Sequence, residues 1–278
     1  MFPGEVLQLP SHCYIISFMK KDDHCGGADK LQDIDNLFEM PGSKKQISII
    51  IRSLLKIAAD DNVGAEISGI DLYAKTLEES LETGEATLIE QSLVNLYIRL
   101  HGAGSQYTPE ERTILTETKG YSCYPGGLSP LIKAAEFIRP DSIVADLGAG
   151  NGLQGLLLQC LCPHKKTIQI ELSSALIRLG RIYQQALEIS PDRIEWIHDD
   201  IANASIEEAD FIYLYLPAKP LEGGKKVYEA IARKINMITK PLVILSVADC
   251  LACYIDKQFS IVHNDGHLTC FVQKQSSS

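Results

Sequence analysis

The sequence is poor in several things that would each have narrowed its function. It holds one tryptophan, and aromatics make up 7% of its 278 residues. No apolar run reaches the length needed to span a bilayer. The short patch Tyr14-Ile15-Ile16-Ser17-Phe18-Met19 is too brief and wrongly flanked for a secretory leader, so a cytoplasmic protein without a membrane partner is expected. No cluster of Lys and Arg stands out, whereas a protein that grips phosphate backbones usually carries a basic stripe; nucleic acid is therefore disfavoured as a partner. No repeat or low-complexity segment appears, which excludes a solenoid or a long disordered linker.

Cysteine is present, with eight residues, but without a framework. CxxC occurs once, at Cys250 and Cys253, and His12-Cys13 and His24-Cys25 are adjacent pairs, whereas a zinc site normally needs two closely spaced pairs. No metal is expected, and free thiols are. Formal net charge is −10. It is uneven: residues 1–120 hold 19 acids and 11 bases, leaving 17 and 15 for the remainder.

What is there begins at Ile143-Val144-Ala145, a buried-strand run that ends in Asp146 and enters Gly148, Gly150 and Gly152. Leu153, Leu156, Leu157, Cys160 and Leu161 follow at helical spacing. A second run, Thr167-Ile168-Gln169-Ile170, closes on Glu171. This is a βαβ unit with a bare-backbone turn and an acid at the tip of its second strand. Such a turn admits a nucleotide-like ligand. The dinucleotide fingerprint GxGxxG would place its third glycine where Leu153 stands; this chain has GxGxG.

With Asp146 ahead of it and Glu171 beyond, DLGAGNG resembles motif I of the class I S-adenosylmethionine-dependent methyltransferases, over about Pro125 to Gln273. The resemblance implies an α/β fold: a Rossmann-like seven-stranded sheet, five parallel-type strands plus an antiparallel hairpin. It implies S-adenosyl-L-methionine as cofactor, with Gly148, Gly150 and Gly152, beside Asp146 and Ala149, against its methionine part. Glu171, followed by Leu172, would take the ribose hydroxyls, and Asp200 or its neighbour Asp199, with Ile201, the adenine. The family's base-modifying members carry an Asn/Asp-Pro-Pro-aromatic motif after the fourth strand. Here that place reads Leu216-Pro217-Ala218-Lys219-Pro220.

The rest of the chain divides at about residue 120, into a helical N-terminal domain or lid, 1–120, and a methyltransferase domain, 121–278. Breakers across residues 1–42 suggest an irregular arm. Ser43 with Gln46 opens a first helix. A second is expected from about Ile67 to Leu81, with Ile70, Tyr73, Leu77 and Leu81 inward, and a third from about Glu85 to Leu100, with Leu88 among its inward residues. Thr108-Pro109-Glu110-Glu111 opens a fourth with a capping box. Ser129 caps a short helix before the first strand, and Ser173 a longer one after the second.

Methyl transfer asks the protein mainly for alignment and desolvation. Tyr121, Tyr124 and Tyr215 are the candidate catalytic residues, with Tyr213 and His198 also near the strand ends. The acceptor is expected on a small molecule or a protein side chain, and a cationic one suits the acidic helical part. Two other readings stay open: a cofactor-binding scaffold or sensor without transfer activity, and an NAD-linked oxidoreductase. Oligomeric state is not legible.

Overall fold

The computed structural model describes residues 43–104, 107–121, 127–219, 222–248 and 251–274. All of them belong to one compact unit, Asn36–Ser278. The segment 1–42, with its His-Cys pairs, and Tyr124 and Cys250 lie outside the described residues.

Five helices come first: α1 Ser43–Ala58, α2 Asp61–Glu66, α3 Ile70–Thr83, α4 Ala86–His101 and α5 Pro109–Thr118. The short α2 was not expected. Asp60 caps it by accepting from the amides of Asn62 and Val63. In α3 the inward stripe differs from the expected one: Ile70 and Leu77 are buried, but Tyr73 and Leu81 are partly exposed, as is Leu88 of α4. Ser80 turns inward instead, because its hydroxyl pairs with that of Ser92 across the α3–α4 contact at 2.7 Å. The capping box of α5 forms in both directions, Thr108 with Glu111.

Next come α6 Ser129–Ala135, β1 Ile143–Leu147, α7 Leu153–Leu161, β2 Lys166–Glu171 and α8 Ser174–Ala186. Ser173 caps α8 as expected, but Ser129 is the first residue of α6 and makes no capping bond. The chain closes with β3 Ile194–His198, β4 Phe211–Tyr215, α9 Glu222–Met237, β5 Val243–Val247, β6 Phe259–Asn264 and β7 Leu268–Gln273.

The seven strands form one sheet in the order β3-β2-β1-β4-β5-β7-β6. β1 to β5 pair in parallel, and β7 runs antiparallel to both β5 and β6. The strand count and the terminal hairpin are those expected from the sequence. Alternate strand residues feed two cores. Val144, Phe211, Tyr213 and Leu245 face α1, α3, α4, α6, α7 and α8. Ala145, Leu147, Ile212 and Ile244 face α9 and the hairpin residues Phe259 and Phe271.

The first core contains Ile47, Leu54, Leu77 and Leu96 of the N-terminal helices together with Leu153, Leu156 and Leu157 of α7. The boundary expected near residue 120 therefore falls inside a shared core. Among the described residues no helix is long and apolar enough to cross a membrane.

Candidate functional site

In an open parallel sheet, ligands bind beyond the carboxyl ends of the strands, where the order reverses. Here that point is the junction of β1 with β2 and β4. One cleft opens there, lined by Gly148 and Gly150 after β1, Glu171 and Leu172 at β2, Asp200 and Ile201 after β3, and Tyr215 to Ala218 after β4. The far wall is helical, formed by His101 to Ala103 at the end of α4, Tyr107, and α5 with Tyr121.

The glycine turn is built for close approach. Gly148, Gly150 and Gly152 all have positive φ, at 77°, 60° and 69°. The amides of Gly148 and Ala149 both donate to the Ile170 carbonyl, at 3.0 and 2.9 Å, which ties the turn to β2. A Cβ on Gly150 would meet nothing within 4 Å, because that position faces the cleft. Gly152 is different. A Cβ there would lie 2.2 Å from the Trp196 ring and 2.9 Å from the Gln169 amide. Gly152 stands outside the cleft lining, and its lack of a side chain makes room for Trp196 and Gln169 beside α7.

Glu171 is 6% exposed and sits inside the cleft. Its Oε2 accepts from the Gly150 amide at 2.8 Å and its Oε1 from the Ser173 amide at 2.8 Å. Burial pushes its pKa up to about 7; the hydrogen bonds from Ser173, Gly150 and Leu172 oppose this, and the charge of Glu111 adds to it.

Asp146 is 2% exposed and does not line the cleft. It points beneath the turn, toward the Gly155 amide, and burial likewise pushes it up to about 7, with the charge of Glu171 as a smaller cause. Its Oδ2 has no partner among the described residues. Ala149 is buried in the turn and also stands outside the lining.

Of the two acids after β3, Asp200 lines the cleft and Asp199 does not. Asp199 spends its side chain on the Asp200 amide at 2.7 Å. Asp200 accepts from the Ala202 amide at 2.8 Å. Among the tyrosines, Tyr121 and Tyr215 reach the cleft. Tyr213 is fully buried, its hydroxyl pKa raised well above 10 by burial, and His198 stands exposed outside the lining with Nε2 2.8 Å from the Leu172 carbonyl.

The loop after β4 is stitched to the helical wall. The Tyr121 amide donates to the Pro217 carbonyl at 3.2 Å, the Lys219 amide to the Lys119 carbonyl at 2.9 Å, and the Tyr228 hydroxyl to the Ala218 carbonyl at 2.7 Å. Leu216 is held at φ 31°, a left-handed conformation that a branched residue adopts only under constraint. Glu111 straps α5 to the start of α8, accepting from the Ser174 amide at 3.0 Å and the Thr108 amide at 2.8 Å.

Among the lining residues not singled out from the sequence are His101, Tyr107, Asn151 and Gln154. Asn151 donates to the carbonyls of Leu100 and His101, at 2.8 and 3.1 Å, and so anchors the end of α4 onto the glycine turn. The Gly102-Ala103-Gly104 run was the available signal. A Cβ on Gly104 would sit 2.8 Å from Leu179, so that run lets α4 end hard against α8.

Among the described residues no group of three or more His, Cys, Asp or Glu is placed to hold a metal ion.

No family model matches the sequence, and no curated protein does. Solved structures are similar at low identity. An RNA methyltransferase from Salinibacter ruber, in complex with S-adenosyl-L-homocysteine, is 18% identical over 56% of this chain and 97% of its own, with a TM-score of 0.43. TrmN from Thermus thermophilus is 16% identical over 68% of each chain, TM-score 0.43. An rRNA methylase from Streptococcus thermophilus is 18% identical over 53% of this chain and 95% of its own, TM-score 0.38. At such values the cleft's own residues carry the functional argument.

Proposed function

We propose that the chain is an S-adenosyl-L-methionine-dependent methyltransferase whose acceptor is an amine, on a small molecule or a protein side chain. The observation that supports the cofactor is the meeting of Glu171, 6% exposed, with the side-chain-free face of Gly150 in one cleft. A carboxylate there accepts from both ribose hydroxyls, replacing the Gly150 and Ser173 amides or sharing with them. Asp200 and Ile201 lie one strand further along, where an adenine attached to that ribose would reach. Gly148, Gly150 and Asn151 lie on the opposite side, for the amino-acid end.

The cofactor supplies an electrophilic methyl group on a sulfonium. The chain's residues align and desolvate. Tyr121, Tyr215 and Pro217 form the wall beyond the glycine turn, next to where the methyl group would stand. Glu171 and Asp200 are acidic, and no Lys or Arg lines the cleft among the described residues. These carboxylates suit a cation better than a phosphate, although Lys219 already stands over the Tyr121 ring, 5.7 Å from its centroid. A bound ammonium must release one proton to water before its lone pair takes the methyl group and S-adenosylhomocysteine leaves. The helical segment acts as a fixed wall or lid, tied down through Asn151 and Glu111.

A pyrophosphate, as in NAD, would need the first amides of α7. Two of those are engaged: the Asn151 side chain accepts from the Leu153 amide at 3.4 Å while it binds the end of α4, and Asp146 accepts from the Gly155 amide. The dinucleotide reading is thereby disfavoured.

The test uses methyl-labelled S-adenosylmethionine with a panel of primary amines, a lysine-rich peptide and RNA, the last because the similar structures include proteins named for RNA methylation. Label is expected on an amine. Label on RNA alone overturns the acceptor class. Cofactor binding without transfer to any of them favours a binding module.

A further inference from the structure

Asn151 lies between Gly150 and Gly152, buried but part of the cleft lining. Its carboxamide nitrogen carries two hydrogens, and both go to a distant part of the chain: the carbonyls of Leu100 and His101 accept them at 2.8 and 3.1 Å. Those carbonyls belong to the last turn of α4, where the helix itself supplies no donor. His101, Gly102 and Ala103 then form part of the helical wall of the cleft. The carboxamide oxygen accepts from the Leu153 amide at the start of α7, at 3.4 Å. One side chain thus joins two helix ends across the glycine turn.

Resting on the proposed cofactor, we infer that Asn151 is a positioning residue that makes filling of the glycine turn and seating of the helical wall one event. Ahead of it the turn is held by the Gly148 and Ala149 amides on the Ile170 carbonyl, and by the Gly150 amide on Glu171 Oε2. That carboxylate is the group the ribose hydroxyls would claim. With left-handed φ at the glycines on either side, 60° and 69°, the Asn151 backbone is free to rotate once the Gly150 bond weakens. Its carboxamide, held by α4, keeps it in place. Such coupling is reciprocal, so a ligand on the turn in return tightens the α4 end. Tyr183 is the contrast. It donates from α8 to the same Leu100 carbonyl at 2.8 Å, yet stands outside the cleft lining, and so adds stability without the linkage.

The experiment is calorimetry with S-adenosylhomocysteine, beside denaturant melts, on Asn151→Asp, Asn151→Ala and Tyr183→Phe. Asn151→Asp keeps the volume and the oxygen, but has no hydrogen for the two carbonyls when ionised and only one when protonated. Both Asn151 variants are expected to bind about tenfold more weakly, on the scale of one or two lost hydrogen bonds. Tyr183→Phe is expected to melt earlier and to bind as the wild type does. The proposal is overturned if Asn151→Asp binds normally, or if Tyr183→Phe loses as much affinity as the Asn151 variants.

Should the Asn151 variants not fold, amide hydrogen exchange on the wild type decides. Arg99 and Leu100 lie in the last turn of α4 and outside the cleft lining, so a ligand cannot shield their amides by contact. S-adenosylhomocysteine is expected to slow their exchange by about the same tenfold factor, as the reciprocal of the coupling. Exchange there that ignores a bound ligand sinks this inference alone, whereas a wild type that does not bind S-adenosylhomocysteine sinks the cofactor reading as well.

Discussion

At the scale of single residues, burial raises two carboxyl groups, one inside the cleft and one beneath the glycine turn. Glu171 is raised from its ordinary 4.5 to about 7, and Asp146 from 3.8 to about 7. A raised acid binds its proton more tightly in the fold than in the unfolded chain, so its contribution to stability is lost as pH rises through 4.5 to 7. His101 is lowered to about 4 and His164 is also lowered, and both oppose that trend below 6.5. Melting temperature therefore mixes opposite signs, and ligand affinity is the cleaner readout.

Between pH 8 and 6 the His101 ring stays neutral, while ribose hydroxyls need an ionised Glu171. S-adenosylhomocysteine affinity is expected to fall as pH drops below 7, by at most about tenfold per unit for one proton, and the fall is expected to be smaller in Glu171→Gln. Affinity independent of pH in the wild type would show that Glu171 does not hold the ligand. Glu171 was legible because it closes a strand one βαβ unit after a glycine turn. His101 was not, since a histidine at a helix end carries no mark of what packs over it.

At the scale of elements, the glycine turn separates the position open to the cleft from the position that serves packing. Both Gly150 and Gly152 have left-handed φ, so alanine at either costs about 1–2 kcal/mol. Gly150→Ala puts its methyl group into the cleft, and is expected to abolish S-adenosylhomocysteine binding with only that loss of stability. Gly152→Ala must also displace the Trp196 ring, at about 1–3 kcal/mol more. Denaturant melts beside calorimetry check the pair, and a Gly150→Ala protein that binds normally would remove the turn from the site. The GxGxG spacing looks uniform in sequence. Only the neighbours of each glycine, brought from β3 and from the loop after β4, tell them apart.

The strands and the α5 capping box were readable because period and cap chemistry are local. The inward face of α3 was misread. Tyr73 and Leu81 fit the helical stripe, but the Ser80–Ser92 hydrogen bond, a partnership from another helix, decides the face.

At the scale of the whole molecule, the helices before residue 120 complete the sheet's core. Leu153, Leu156 and Leu157 of α7 would lose Ile47, Leu54 and Leu96 without them. At roughly 1.5–3 kcal/mol per fully buried large apolar side chain, exposing these three costs about 4.5–9 kcal/mol, comparable with the roughly 5–15 kcal/mol stability of an ordinary domain. A chain of residues 127–278 is therefore expected to show no cooperative thermal transition by circular dichroism. A sharp transition with native-like near-ultraviolet signal would contradict the shared core. The sequence pattern suggested a division near residue 120, yet composition could not reveal that the residues on both sides bury one shared core.

These scales meet at the carboxylate that ends β2, and the most direct measurement is calorimetric titration of S-adenosylhomocysteine into the wild type and Glu171→Ala at pH 8. The wild type is expected to bind, and removal of the carboxylate to weaken binding by about 1–3 kcal/mol. Equal affinities in the two proteins, or no binding by the wild type, would contradict the account.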